Sequence, residues 1–415
     1  MTTPTLIPPA PAPARPAHRD GNVLRWLAAY TFSLVGDSVY YMALAWAAAR
    51  SGSAGQAGLV LAVGAVPRAL LMLGGGVIAD RFGPRRVVIG SDALRSVIIL
   101  GMAGALLVTG SHLWLLIVLA LVFGAVDAVL LPALGALPPR ITGPGELARV
   151  QGLKGLASRV ANIGGAPIGG LAVALGGTAA TFAVAGVLFA VSTALLVRVR
   201  IARLDGEGQK TKDRALRELS DGLRYIRGHR LLAPLMLVIA VGELGFAAPL
   251  NIGLALLAKE RAWGASGMGW IVAAFGAGAG AASLLLSVRG RVPRAGLVLP
   301  LALLGGTTAI AGLAYAPSVV FAAVAGVVIG LLAGLSGALC GALMQTATEP
   351  AYLGRVTAVA SLFTMGIAPL GYPLAGAAIG AWGTGPVFLA SAGVCASGAL
   401  IGLASRHLRR AELPS

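Results

Sequence analysis

Along most of this chain, apolar stretches follow one another with only short polar gaps between them. A run of roughly 20 apolar residues, wound into a helix, matches the hydrocarbon thickness of a bilayer. Within lipid the backbone must satisfy its own hydrogen bonds, which leaves the helix as the form such a run can take. The pattern predicts twelve spans, near 23–49, 56–79, 87–109, 113–137, 150–174, 178–199, 231–257, 267–289, 295–315, 318–345, 356–380 and 385–405. The gaps at Gly110–His112 and Gly176–Gly177 are so short that the helices they join must run antiparallel. The expected class is therefore an all-α integral membrane protein.

Composition agrees. Only 11% of residues are charged and 57% are hydrophobic, against about 25% charged in a soluble domain. The 60 glycines suit helices that pack closely in lipid. A net charge of +17 would suggest nucleic acid in a soluble protein. Here 26 of the 32 lysines and arginines fall in the two ends and the even-numbered gaps, which is an orientation signal rather than a nucleic-acid surface. The other side holds Arg50, Lys259 and Arg261, and Arg68, Arg95 and Arg159 lie within spans. Both termini are thus expected in the cytoplasm, with the chain in the inner (plasma) membrane. Cys340 and Cys395 lie in apolar runs and suggest neither a disulfide frame nor a metal site.

The divisions follow the same pattern. Residues 1–21 read as a disordered tail rich in proline and alanine, with no signal peptide. Residues 22–200 and 231–405 form two six-span units, and 406–415 form a second tail. Between the units, 201–230 reads as a linker in which Leu216, Leu219, Leu223 and Ile226 recur at helical spacing, an amphipathic helix at the membrane surface or a solvated connector. The units resemble each other at an offset of 206 residues. Val35-Gly36-Asp37 answers Val241-Gly242-Glu243, Arg149-Val150 answers Arg355-Val356, and Gly165, Pro167 and Gly170 answer Gly371, Pro373 and Gly376. Gly177, Thr178 and Phe182 likewise answer Gly383, Thr384 and Phe388. Six spans per unit is an even number, so the repeat is parallel, as in transporters built from two six-helix bundles.

After span two the chain reads Gly76-Val77-Ile78-Ala79-Asp80-Arg81-Phe82-Gly83-Pro84-Arg85-Arg86. This resembles the motif between helices two and three of the major facilitator superfamily. Gly83 would turn the chain, and Arg85 and Arg86 would sit at anionic headgroups. The resemblance implies two pseudo-symmetric six-helix bundles, with Gly76, Asp80, Arg81, Gly83, Arg85 and Arg86 as a conformational motif in which Asp80 braces the bundles. Gly36-Asp37, the Asp92-to-Arg95 stretch of span three and the helical linker resemble the drug-exporter branch, which implies proton antiport. The antiporter motif of span five departs from its usual form, reading Gly165-Ala166-Pro167-Ile168-Gly169-Gly170.

Charges within the spans need a partner or a task, because each costs on the order of 3 kcal/mol at the bilayer centre. Asp92 and Arg95 are three apart on one helix and are expected to pair. Depth suggests Asp127 with Arg159 and Asp37 with Arg68. Glu243 is left over, because spans seven to twelve carry no interior lysine or arginine. Desolvation favours the neutral form of a lone carboxyl, which makes Glu243 the first candidate for binding the coupling proton and Asp37, its repeat counterpart, the second. Arg68 has a rival reading as a contact for anionic cargo. Tyr40, Tyr41, Trp46, Phe246 and Phe275 are candidate walls of a substrate cavity between the bundles.

Other classes fit poorly. Gly334-Leu335-Ser336-Gly337 has the look of an intramembrane serine protease, but His18, His112, His229 and His407 all lie in the tail, gaps or ends, so Ser336 reads as a packing residue. No phosphate-cradling loop of an ATP-driven pump is present in the sequence. Few amides fall within spans, which favours a lipophilic drug or metabolite over a sugar. The expected protein is not an enzyme and needs no cofactor or metal. It is a monomeric secondary transporter whose partners are a small-molecule substrate, protons and lipids, with siderophore export or nutrient import as the alternative cargo.

Overall fold

The computed structural model describes residues 19–110, 112–143, 146–200, 212–289, 292–349 and 352–413. Among these, every regular element is a helix. The first half comprises α1(Gly21–Ser51), α2(Ala54–Phe82), α3(Pro84–Thr109), α4(Leu113–Gly135), the short α5(Pro138–Ile141) and α6(Leu147–Val197). Helix α7(Lys212–Gly228) follows. The second half comprises α8(Leu232–Ala248), a π-helical turn over Pro249–Gly253, α9(Leu254–Glu260), α10(Gly264–Arg289), α11(Ala295–Ala314), α12(Val319–Ala347), α13(Leu353–Trp382), α14(Thr384–Ala404) and α15(Arg406–Arg409).

Eight stretches of described helix are long and apolar enough to cross a membrane by length and composition. One of them, α6, is two spans joined at Gly177, whose φ of 71° reverses the chain. Gly383, its repeat counterpart, has φ 83° and separates α13 from α14. Both positions are left-handed, where a Cβ is penalised and glycine is not. Helices α1, α2 and α13, of 31, 29 and 30 residues, complete the twelve spans. Helices α8 and α9 form one span through the π-helical turn.

The halves meet along two glycine seams. Gly58 of α2 and Gly376 of α13 lie so close that a Cβ on Gly58 would strike the Tyr372 carbonyl, and one on Gly376 the Ala54 carbonyl. Gly170 of α6 packs in the same way on Ala265 and Gly269 of α10. Small residues permit such approach where lipid provides no hydrophobic drive between helices. Both seams lie toward the face opposite that from which α1 rises. There Lys259 Nζ also donates to the Ala49 carbonyl across the halves.

Helix α7 docks rather than lying free. Ile226 is buried, Tyr225 stacks on Tyr352 at 4.3 Å, and Gly222 abuts the Arg355 carbonyl of α13. Leu223, expected on its apolar face, is exposed. Residues 201–211 of the expected linker and 1–18 of the expected tail lie outside the described residues.

Candidate functional site

Three groups of side chains lie at membrane depth. The first is an ion cluster inside the first half. The guanidinium of Arg95 on α3 is fully buried and meets three carboxylates. Nη2 contacts Asp37 of α1, Nη1 lies 3.1 Å from Asp92 Oδ1, and Nε lies 3.6 Å from Asp127 Oδ1 of α4. The rings of Phe123 and Phe189 flank it, with Cζ 4.7 and 4.1 Å from their centroids. Gly36 makes room for the Phe189 ring. Asp92 also accepts from Ser33 at 3.2 Å and from Ser192 at 2.6 Å.

This corrects one expected pair. Asp37 meets Arg95 and not Arg68, and Asp127 is held by Arg95 and Tyr41; the side chain of Arg159 lies outside the described residues. Equal depth brings groups to one level, but rotation about each helix axis decides which of them face. The five donors of a guanidinium also let one arginine serve several acids.

The second group is a central cavity of about 260 Å³ where the halves face each other. Tyr40, Tyr41 and Arg68 line it from the first half, and Asn251 and Tyr372 from the second. Arg68 Nη1 donates to the Tyr41 hydroxyl at 3.1 Å, which in turn donates to Asp127 Oδ2 at 3.1 Å. The cavity is thus wired by hydrogen bonds to the Arg95 cluster. Arg68 Nε is buried with no partner among the described residues. Tyr40 stacks on Phe123 with centroids 3.7 Å apart. Trp46, expected in the cavity wall, is instead packed in the core at 6% exposure.

The third group is a cavity of about 290 Å³ within the second half, between α8, α11, α12 and α14, with Thr364 of α13 at its edge. Glu243 and Phe246 line it, and among the described residues no lysine, arginine or histidine does. Phe275 backs Phe246, ring centroids 5.9 Å apart. The leftover acid of the sequence therefore lies in the wall of an apolar cavity inside one half.

At the motif, Gly83 turns the chain with φ 84° between α2 and α3, and Pro84 opens α3. Arg85 Nη2 donates to the Val197 carbonyl at 2.8 Å, tying that turn to the end of α6. Arg81 and Arg86 are exposed. The surroundings of Gly76 and the side chain of Asp80 lie outside the described residues.

The profile of the Major Facilitator Superfamily matches residues 26–256, more than half of the chain. The chain belongs to the major facilitator superfamily. Two relatives match over most of their own length. The multidrug efflux pump Tap of Mycobacterium tuberculosis (strain ATCC 25618 / H37Rv) is 28% identical, with 93% of this chain and 94% of the relative covered. The enterobactin exporter EntS of Escherichia coli O1:K1 / APEC is 26% identical, over 81% of this chain and 80% of the relative. Among solved structures, the nucleoside transporter NupG superposes with a TM-score of 0.72 at 13% identity, covering 93% of this chain and 99% of that one. A D-xylose–proton symporter does so with a TM-score of 0.71 at 13% identity, covering 92% and 96%. The last two show the fold. As a superfamily member the chain is a multi-pass membrane transporter of small molecules and not an enzyme.

Within this superfamily fold, several residues join the sites that the sequence reading passed over. Tyr372 is a lone tyrosine in a glycine-rich helix, and Ser33 and Ser192 read as small packing residues until Asp92 is placed beside them. Ser336 lines the cavity of the second half instead of only packing. Only contacts between helices distant in sequence single these residues out.

Proposed function

We propose that this chain is a proton-coupled exporter of lipophilic small molecules, working by alternating access between its two bundles. The observation that carries this reading is Glu243, a carboxyl in the wall of an apolar cavity, in a half whose spans hold no lysine or arginine away from their ends. Such a group can hold a proton in one state of the cycle and release it in another. The similarity to a mycobacterial multidrug efflux pump supports drug-like cargo and export. The glycine seams support a bundle pair that closes at the face opposite the termini, with the basic loops and both termini cytoplasmic. Asp80 and Arg81 would brace the other face. The protein would act as a monomer among lipids. The test is dye efflux from proteoliposomes driven by a pH gradient. Wild type should respond to the gradient and Glu243→Gln should not; gradient-driven efflux by Glu243→Gln at the wild-type rate would overturn the reading.

A second reading rests on Arg68. Its Nε, without a partner among the described residues and in the wall of the central cavity, favours an anionic metabolite, and the similarity to an enterobactin exporter supports a metabolite as cargo. Under this reading Arg68→Gln abolishes transport of an anionic cargo and spares a cationic dye.

A further inference from the structure

The two halves repeat each other helix by helix, yet they differ in what fills one space. In the first half, the space among α1, α3, α4 and the second segment of α6 is filled by the Arg95 guanidinium, flanked by Phe123 and Phe189 and paired with Asp37 and Asp127. In the second half the corresponding helices α8, α11, α12 and α14 enclose the 290 Å³ cavity. The offset of 206 residues carries Asp37 to Glu243, Phe123 to Ile329, Asp127 to Ala333 and Phe189 to Cys395, and all four lie in the cavity wall. Helix α11, in the place of α3, holds no charged residue. The second half thus keeps one acid of the cluster, trims the groups around it and lacks the cation.

The remaining polar atoms of the wall sharpen the point. The hydroxyls of Thr307 and Thr364 donate to carbonyls of their own helices, and Cys395 Sγ donates to the Gly242 carbonyl at 3.5 Å. Ser336 Oγ, on a residue only 5% exposed, has no hydrogen-bond partner among the described residues. A buried hydroxyl without a partner is unusual and points to one that is absent. The wall therefore offers one carboxyl and one free hydroxyl in an otherwise apolar setting, with Phe246, Ile310 and Leu332 to receive a hydrocarbon body.

We propose that this cavity is a binding site for a compact lipophilic ammonium, in the space where the first half keeps its own Arg95. One ammonium N–H donates to the Glu243 carboxylate and another to Ser336 Oγ. Charge-assisted bonds of this kind are the strong ones in a low-dielectric site. A neutral analogue of the same shape loses the carboxylate bond. A proton and the ammonium compete for Glu243, which would make cargo and coupling ion exclusive at one group. The inference rests on the export reading for the ligand being cargo, but not for its binding.

The chain provides its own reporters, since its two cysteines, Cys340 and Cys395, both line this cavity. Purified protein in detergent, with no ion gradient, is alkylated with N-ethylmaleimide and the modified cysteine is read by mass spectrometry. The probe is 1-naphthylmethylamine and the neutral comparator 1-naphthylmethanol. In wild type the amine should slow alkylation severalfold while the alcohol leaves it unchanged. Glu243→Gln should abolish this protection, and Ser336→Ala should raise the protecting concentration about tenfold, the loss of one hydrogen bond to a charged group. A single symmetric peak in size-exclusion chromatography checks that each variant is folded, and Ser336→Ala carries the test if Glu243→Gln is not. If the thiols resist alkylation, equilibrium dialysis of the same amine gives the same comparison. Equal protection by amine and alcohol, or full protection in Glu243→Gln, overturns the site. If the amine fails to protect while Glu243→Gln still abolishes pH-driven efflux, the site falls and the transport reading stands. If the amine protects and Glu243→Gln effluxes like wild type, the site stands and the transport reading falls.

Discussion

Asp37 and Glu243 occupy the same position in the two halves and live in different surroundings. Asp37 touches a buried guanidinium that two further carboxylates and two aromatic rings also hold. Glu243 lies in an apolar cavity whose lining has no basic side chain among the described residues. The repeat keeps an acid at this position, and the neighbouring helices give it different surroundings. In one half the acid is part of a filled core that fixes four elements together. In the other it faces a cavity.

The largest expected effect follows from removing what fills the first half. Arg95→Leu leaves Asp37, Asp92 and Asp127 grouped at depth with no guanidinium between them. Breaking a buried pair by removing one partner costs about 3–5 kcal/mol, and here one cation serves three acids. The variant should yield little folded protein in size-exclusion chromatography, and Arg95→Lys should recover only part, since an ammonium has fewer donors in a different geometry. Wild-type yield and melting temperature for Arg95→Leu would remove the contrast between the halves.

Next in size is the contrast between the acids themselves. Asp37→Asn gives up a charge-assisted bond to Arg95 and should cost about 1.5–3 kcal/mol. Glu243→Gln gives up no ion pair and removes a group whose ionised form apolar surroundings disfavour. The first should lower the melting temperature in detergent; the second should leave it unchanged or raise it. Opposite signs would sharpen the distinction, and equal losses would end it.

Much of the fold was legible and much of the site was not. Spans could be read because each must be apolar over the bilayer thickness, and the breaks at Gly177 and Gly383 because φ values of 71° and 83° favour glycine. The repeat could be read because its marker residues sit at turns and acids. The pairing of charges could be read only along one helix, as Asp92 with Arg95. Asp37 and Arg68 share a depth but face different ways, and Arg95 looked settled once Asp92 lay three residues away. The cavity was hidden for a different reason. It is made by what is small, Ala333 and Cys395 where the first half has Asp127 and Phe189. In a chain with 60 glycines, small residues read as packing everywhere. Ser336 was read as packing for the same reason.

Filling the second half's cavity tests whether that cavity matters. Ala333→Leu adds hydrocarbon where the wall is already apolar. Overpacking of a filled core costs about 1–3 kcal/mol, and a cavity of 290 Å³ should absorb three extra carbons for less than that. The variant should melt within a few degrees of wild type while dye efflux falls about tenfold. Normal efflux from a stable Ala333→Leu protein would make the cavity a packing defect with no part in transport.

The smallest expected effect concerns the wire between the first half and the central cavity. Tyr41→Phe keeps the ring and its edge contact with Phe123 but deletes the hydroxyl that accepts from Arg68 and donates to Asp127. Two bonds are lost, yet Asp127 keeps Arg95 and the Arg68 guanidinium can turn its free donors toward water in the cavity. The net cost should be about 1 kcal/mol, a melting shift of a few degrees. Transport is the more telling readout. If the first half is only a filled core, efflux should follow the small loss of stability. If the cluster communicates with cargo through Tyr41, efflux should fall well beyond it, and the division between a structural half and a working half would have to be redrawn.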